Sequence, residues 1–530
     1  MCIEITAIHI CTFHPRSDNI NCMNTINFIL NGVPTSASNL DSTKTLLTWL
    51  RSNQRVGTKE GCAEGDCGAC TVLLAELDAT QDLTIKTVNA CIRFIHTLHG
   101  KAVFTIEYLR QNNIEGSSES ASSKNTLHPV QQAMVDCHGS QCGFCTPGIV
   151  MSLWGVYLEN EQAVQPNRIA DALSGNLCRC TGYKPILDAG QKMYVYPRVK
   201  FDKQYFVDQL KSLHLSADLN HRPLEYLSVE TETGRFDTPK NVDALLRLKA
   251  AYPEATILAG ATDVGLWSNK SLLELPHLIY LGDMPELKRI SQDRQTLTIG
   301  AAASLNEAYG AICKHYPTLY EIFKRFASTP VRNSGTLGGN VANGSPIGDS
   351  MPALIALGAT ITLASHRDQT RHDRVIALED FYLGYQHKAW EPNEVLICVH
   401  VPLPQNDIAF RSYKVSKRFD SDISAVCGAY ALTLESGVVK NIKIAYGGMA
   451  GTPKRATMVE SLLRGATWNA PTVKAAMSTM NQDYQPLTDM RATANYRLTV
   501  AKNLLWRFYL ETQPDQALPP EKLSVFAHSF

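Results

Sequence analysis

Gly61-Cys62-Ala63-Glu64-Gly65-Asp66-Cys67-Gly68-Ala69-Cys70 is the stretch on which the reading of this chain turns. It sets three cysteines at C-x4-C-x2-C, and Cys91 follows after twenty further residues. Three thiolates on one loop and a fourth from a later element can close a four-thiolate cage. Gly61, Gly65 and Gly68 interleave with the cysteines. At such positions the backbone can come close to whatever the sulfurs hold and turn N–H groups toward them.

The spacing is that of plant-type ferredoxins, which hold a [2Fe–2S] cluster. A zinc loop or a set of buried thiols would be the plainer alternatives, but this glycine-rich spacing is a poor zinc ribbon. Working outward, Cys142-x2-Cys145 and Cys178-x-Cys180 form a second set in an otherwise helical region. A helix N-terminus favours thiolate over thiol. By spacing alone this set could ligate zinc or [2Fe–2S]. An adjacent ferredoxin-like site favours the latter, because two neighbouring clusters make an electron wire. The remaining thiols, Cys2, Cys11, Cys22, Cys137, Cys313, Cys398 and Cys427, lack ligand spacing and read as small apolar side chains.

Composition agrees with a redox protein. The 530 residues allow about three or four domains. Fifty basic and fifty acidic residues balance, which argues against binding nucleic acid or membrane by bulk charge. A 44% apolar content excludes a mostly disordered chain, and no apolar run of about 18 residues suggests a membrane span. Twelve of the fifteen cysteines precede residue 181, a clustering that reads as metal binding rather than disulfides. Met1 to Phe13 lacks a basic start and a small-residue cleavage site, so a reducing cytoplasm is the expected compartment.

The pattern predicts a first strand at Ile26–Leu30, with residues 1–22 an N-terminal extension. A mixed domain is expected over 23–105 and a helical one over 106–196, with the Ser-rich stretch 115–126 a polar connector inside it. Residues 197–230 read as a linker, 231–405 as alternating strands, glycine-rich turns and helices, and 408–515 as a last mixed segment.

In 231–405, Leu258-Ala259-Gly260-Ala261-Thr262-Asp263-Val264-Gly265 follows a strand. Ser334 to Asn340 and Ser345 to Asp349 form a second polar, glycine-rich region. Successive N–H groups in such loops can hold a pyrophosphate. Neither segment is a G-x-G-x-x-G dinucleotide motif.

The two cysteine motifs in this order, with the linker and the glycine loops behind them, resemble the xanthine oxidase family of molybdenum hydroxylases over residues 23–515. The likeness is to the small iron–sulfur/flavin subunit of the family's two-subunit bacterial members. It implies a multidomain α+β chain: a ferredoxin-like β-grasp domain, a helical [2Fe–2S] domain, an α/β FAD-binding domain of the vanillyl-alcohol-oxidase type, and a C-terminal flavoprotein domain like that of carbon monoxide dehydrogenase. It implies [2Fe–2S] at both cysteine sets, the Cys142 set nearer molybdenum and the Cys62 set nearer flavin. By the same resemblance 258–265 is the first pyrophosphate loop, and Thr336, Gly339 and Asn340 belong to the second. Asp349 is then a ribose contact and Phe326 an aromatic near the isoalloxazine. Asp422 contacts FAD from the charged loop 417–422, Lys417 or Arg418 shapes nicotinamide access, and Tyr385 lies on the same side.

A molybdopterin region is not recognisable in the chain. The resemblance therefore implies a molybdopterin-binding large subunit as partner, in a heterotetramer, and no hydroxylating residue here. Two electrons from purine hydroxylation would pass through two clusters to FAD and on to NAD+. Another heteroaromatic or an aldehyde as substrate is the alternative. The eight spaced cysteines should hold four irons and four acid-labile sulfides per chain. Metal analysis of anaerobically isolated protein checks this, and stoichiometric zinc would contradict it.

Overall fold

The computed structural model describes residues 21–22, 25–111, 127–217, 225–231, 233–405 and 407–513. The Ser-rich connector 115–126 and residues 1–20 lie outside them. The first sheet has the order Val33–Ser38, Thr25–Leu30, Ala102–Phe104, Thr71–Leu77, Leu83–Asn89. Its only parallel pair joins Thr25–Leu30 to Ala102–Phe104. The helix Leu46–Ser52 starts at Thr45, whose hydroxyl accepts from Thr48 N–H.

This sheet is buried on both faces, and strand period explains how. In Thr71–Leu77, Val72 and Leu74 join one core while Leu73 and Ala75 join another. The first core also takes Phe236, Leu258 and Leu278 from the flavin-binding region. The second takes Ile149, Leu153 and Trp154 from the helical region. A half-solvated sheet would alternate apolar with polar residues. A run of apolar residues such as Val72 to Ala75 is what a doubly covered strand needs.

The helical region contains Pro129–Asp136, Thr146–Glu159, Pro166–Ala172 and Lys184–Lys192. His128 caps the first of these through its Nδ1 and Gln131 answers from the third position, a capping box. The stretch expected as a linker over 197–230 is structured over much of its length. Lys203–Ala217 is a helix, with Phe206, Val207 and Leu210 buried in the second core. Tyr226–Thr231 is a strand that pairs with Gly234–Pro239. Strand pairing also begins before residue 23. Asn21–Cys22, inside the expected extension, runs parallel to Leu227–Ser228 at the sheet edge.

The flavin-binding region is built on two sheets. One holds Gly234–Pro239, His277–Tyr280 and Thr256–Leu258 in parallel, and the other is antiparallel around Val395–Pro402 and Thr360–Arg367. The last segment has a four-stranded antiparallel sheet backed by Thr457–Leu463, Ala470–Asp483 and Ala494–Glu511. Among the described residues no helix is long and apolar enough to cross a membrane.

Helix Thr146–Glu159 meets the first cysteine loop at backbone distance. A Cβ on Gly148 would lie 2.1 Å from the Gly68 carbonyl oxygen. Gly148→Ala should therefore cost about 1–3 kcal/mol by overpacking. Gly155→Ala, whose Cβ would meet side-chain atoms no closer than 3.1 Å, should cost less. Thermal unfolding of the two variants checks this, and equal losses would contradict the proposed contact.

Candidate redox and flavin site

The first cysteine loop runs from Gly61 into strand Thr71–Leu77, and Cys91 follows strand Leu83–Asn89. Cys70 and Cys91 are buried, whereas Cys62 and Cys67 are half-buried. Gly65 and Gly68 have φ of 81° and 70°, left-handed values natural to glycine. The Cys62 sulfur accepts N–H from Cys67 at 3.3 Å and from Glu64 at 3.5 Å. Interaction with the Cys67 and Cys91 thiols, together with these N–H groups, outweighs burial and lowers the Cys62 pKa. Cys70 is lowered chiefly by the Cys91 thiol. Among the described residues no three His, Cys, Asp or Glu side chains gather about a single-ion point. The four thiols form one connected group, Cys67 beside Cys62, Cys62 beside Cys91 and Cys91 beside Cys70, which fits a single four-thiolate site.

The second set sits nearer the surface. Cys142 and Cys180 are exposed, whereas Cys145 and Cys178 are half-buried. Cys145 stands immediately before helix Thr146–Glu159, at its N-terminal end, without a side-chain capping hydrogen bond. Burial and the neighbouring Cys178 push its thiol up to about 12. At Cys178 burial opposes ionisation, but hydrogen bonds from the Thr181 hydroxyl and nearby N–H groups win and lower the pKa. Two close thiols share a proton asymmetrically in this way, and metal binding to both sulfurs would release the remaining protons to solvent.

The two loops are joined by backbone. Leu177 N–H donates to the Cys67 carbonyl at 2.9 Å, one residue before Cys178. Asn176 donates to the Gly68 carbonyl at 3.1 Å and takes a hydrogen bond from Ser152 at 2.6 Å.

A cleft of about 1090 Å³ opens on the far side of the first loop. Strand Thr256–Leu258 ends at its floor, and Ala259, Gly260, Ala261, Thr262, Asp263 and Val264 line it. Ala261 takes a φ of 63° to make the turn. The second phosphate region was expected as a loop. The structure instead has a short helix, Leu337–Asn343, capped by the Thr336 hydroxyl on Gly339 N–H at 3.0 Å. Thr336, Gly339, Asn340 and Phe326 all line the cleft. A Cβ on Gly260 would sit 2.0 Å from the Ser334 carbonyl oxygen, so the two regions touch through that glycine.

Other expected residues lie elsewhere. Leu258 is buried in the apolar core beneath the cleft, and Gly265 packs on Ile92. Asp349 is 1% exposed behind the cleft, where its carboxylate takes hydrogen bonds from Lys414 and Ser424. Lys417 is exposed and donates to the Met490 carbonyl at 2.7 Å. Asp422 accepts from Arg418 N–H at 2.8 Å, and its neighbour Ile423 lines the cleft in its place. Tyr385 is exposed and outside the lining.

Sequence reading missed Lys414, Trp267, Lys388 and Trp390, because strand partners and cleft walls have no local motif. Two features suit a dinucleotide. Asn340 Oδ1 is buried without a hydrogen-bond partner. Burial pushes the Asp263 carboxyl up, with no cation to offset it. The cleft is also lined by Glu64 and Ile92, neighbours of the first cysteine set.

Four families match in chain order: a 2Fe-2S iron-sulfur cluster binding domain over 28–94, a [2Fe-2S] binding domain over 113–191, the FAD binding domain in molybdopterin dehydrogenase over 232–404, and the CO dehydrogenase flavoprotein C-terminal domain over 411–512. The chain belongs to the xanthine oxidase family of molybdenum hydroxylases, as its iron–sulfur and flavin part. Xanthine dehydrogenase of Drosophila pseudoobscura pseudoobscura is 34% identical over 485 residues, 82% of this chain and 35% of the relative. Xanthine dehydrogenase of Emericella nidulans is 30% identical, over 92% of this chain and 38% of that one. The chain thus spans little more than a third of these relatives' length. A solved carbon monoxide dehydrogenase chain from Hydrogenophaga pseudoflava is 27% identical at TM-score 0.48, covering 51% of this chain and 94% of that chain.

Gly260→Ala should weaken FAD binding by at least tenfold, ~1.4 kcal/mol. It should exceed Gly339→Ala, whose Cβ would meet only Thr336 Oγ1, at 2.9 Å. Fluorescence titration of the flavin-free protein measures both, and unchanged affinity in Gly260→Ala would contradict this geometry.

Proposed function

We propose that this chain is the electron-transfer subunit of a xanthine dehydrogenase, working beside a molybdopterin-binding large subunit in a heterotetramer and reducing NAD+. The observation that carries the reading is contiguity. The exposed Cys142 and Cys180, the half-buried Cys178, the Leu177–Cys67 hydrogen bond and the cleft-lining Glu64 and Ile92 form one unbroken line. Bound in these sites, [2Fe–2S] clusters would carry single electrons, and FAD would exchange two of them with a nicotinamide.

The chain's own residues position and insulate these groups. Cys62, Cys67, Cys70 and Cys91 would hold one cluster, and Cys142, Cys145, Cys178 and Cys180 the other. Burial of Cys70 and Cys91 keeps water from the first. The glycine turn 259–263 would present N–H groups to a pyrophosphate, whereas the first N–H groups of Leu337–Asn343 already donate to the Ala303 and Ala301 carbonyls and to Thr336 and fix that wall of the cleft. Phe326 and Ile423 supply apolar walls for a flat ring. Lys417 and Arg418 set the charge beside the mouth. We assign the division of labour to the domain limits 23–105, 106–196, 231–405 and 408–515. A reducing cytoplasm would keep the eight thiols available for metal.

The purified chain should oxidise NADH with ferricyanide and leave xanthine untouched. With the large subunit added, xanthine-dependent NAD+ reduction should appear. Cys142→Ser should abolish that coupled reaction while sparing NADH-to-ferricyanide turnover. Xanthine oxidation by the chain alone would overturn the reading. Loss of NADH turnover in a folded, flavin-loaded Cys142→Ser protein would overturn the order of the sites.

A further inference from the structure

Helix Val264–Asn269 starts at the flavin cradle and ends against the first cysteine loop. Two contacts fix it there. A Cβ on Gly265 would lie 2.8 Å from the Ile92 carbonyl oxygen and 3.1 Å from Ile92 Cβ, so glycine lets the first turn rest on the residue after Cys91. At the other end, the Asn269 amide donates to the Cys91 carbonyl at 2.6 Å and to the Ala63 carbonyl at 3.4 Å. One side chain from the flavin-binding region thus grips both segments that carry the cysteines.

The Ala63 carbonyl belongs to a peptide whose other end is the Glu64 N–H, which donates to the Cys62 sulfur at 3.5 Å. The hydrogen bonds therefore run in series, from the Asn269 amide through one peptide to a cysteine sulfur. Ala63 has a φ of 56°, a left-handed value that an alanine keeps only when its surroundings impose it. The Asn269 hydrogen bond is such a constraint.

We propose that Asn269 is a positioning residue: it holds the Ala63–Glu64 peptide with its N–H aimed at the Cys62 sulfur, and so raises the reduction potential of the cluster on the flavin side. A donor on the carbonyl polarises the peptide and strengthens its N–H as a donor in turn. Hydrogen bonds to cluster sulfurs stabilise the more negative, reduced form. The second cysteine set makes no contact with Asn269 among the described hydrogen bonds, which makes it an internal control.

The inference rests on the first cysteine set holding a [2Fe–2S] cluster. The experiment is an EPR redox titration of the full chain, native and Asn269→Leu. The first cluster's midpoint should move to more negative potential and the second's should stay. Unmoved midpoints, or equal shifts in both clusters, would overturn the proposal. Should Asn269→Leu load the first site poorly, the double variant Ala63→Gly/Asn269→Leu is measured, because glycine keeps the left-handed φ unaided. It should load both sites and show the same negative shift, and a native potential there would overturn the proposal. Absence of the first signal from native protein would instead count against the cluster itself.

Discussion

The carbonyl of Gly68 accepts hydrogen bonds from Thr71 N–H, the Thr71 hydroxyl and the Asn176 amide, at 3.1, 2.7 and 3.1 Å. Gly148 and Gly175 close around the same residue, each so near that a side chain on Gly68 or Gly148 would strike backbone. This seam sets the separation of the two cysteine loops, because main chain meets main chain at Gly68–Gly148 and Gly68–Gly175 and the one side chain in it, Asn176, is itself held by Ser152. The two-faced sheet extends the constraint. Leu73 and Val72 are neighbours in one strand, yet one faces the helical region and the other the flavin-binding region. A displacement of that strand would move both neighbours together.

Charge reinforces the flavin side of this arrangement. Lys101 is buried and donates to Asp283 of the flavin-binding region at 2.6 Å, and Lys288 reaches back to Glu76 at 3.3 Å. Burial alone would raise the Glu76 pKa, but Lys101, Lys288 and Lys86 outweigh it and hold the carboxyl down at about 2. Pairs this enclosed are costly to break, since removing either partner strands a charge away from water. The buried Asp349–Lys414 pair lies behind the cleft, tying the helix Ser350–Leu357 to strand Ile408–Val415.

Much of this was legible in the sequence because thiolate chemistry demands fixed spacing. Cys62, Cys67, Cys70 and Cys91 were readable as a set, and the strand at Ile26–Leu30 and the helix near Gly148 to Leu158 lie within observed elements. What the sequence hid has physical causes. Lys203–Ala217 buries only a narrow face, so its apolar period is faint among charges. Leu337–Asn343 looks like a loop because two glycines disfavour helix, but the Thr336 cap and close packing of Gly338 on Ala301 override propensity. The partner of Asp349, Lys414, comes from a strand 65 residues away that no local pattern announces. Asn269 carries no motif at all, and only the fold brings it to Cys91.

The central claim is that one rigid seam holds the two cysteine sites close enough to act as a single conduit beside the cleft. The most direct measurement is the magnetic interaction between the two reduced clusters, read by EPR on fully loaded protein. The account predicts mutual broadening and faster spin relaxation, both lost from the remaining signal when Cys70→Ser removes the first cluster. Two clusters present at full occupancy, with spectra that simply add and relax independently, would contradict it.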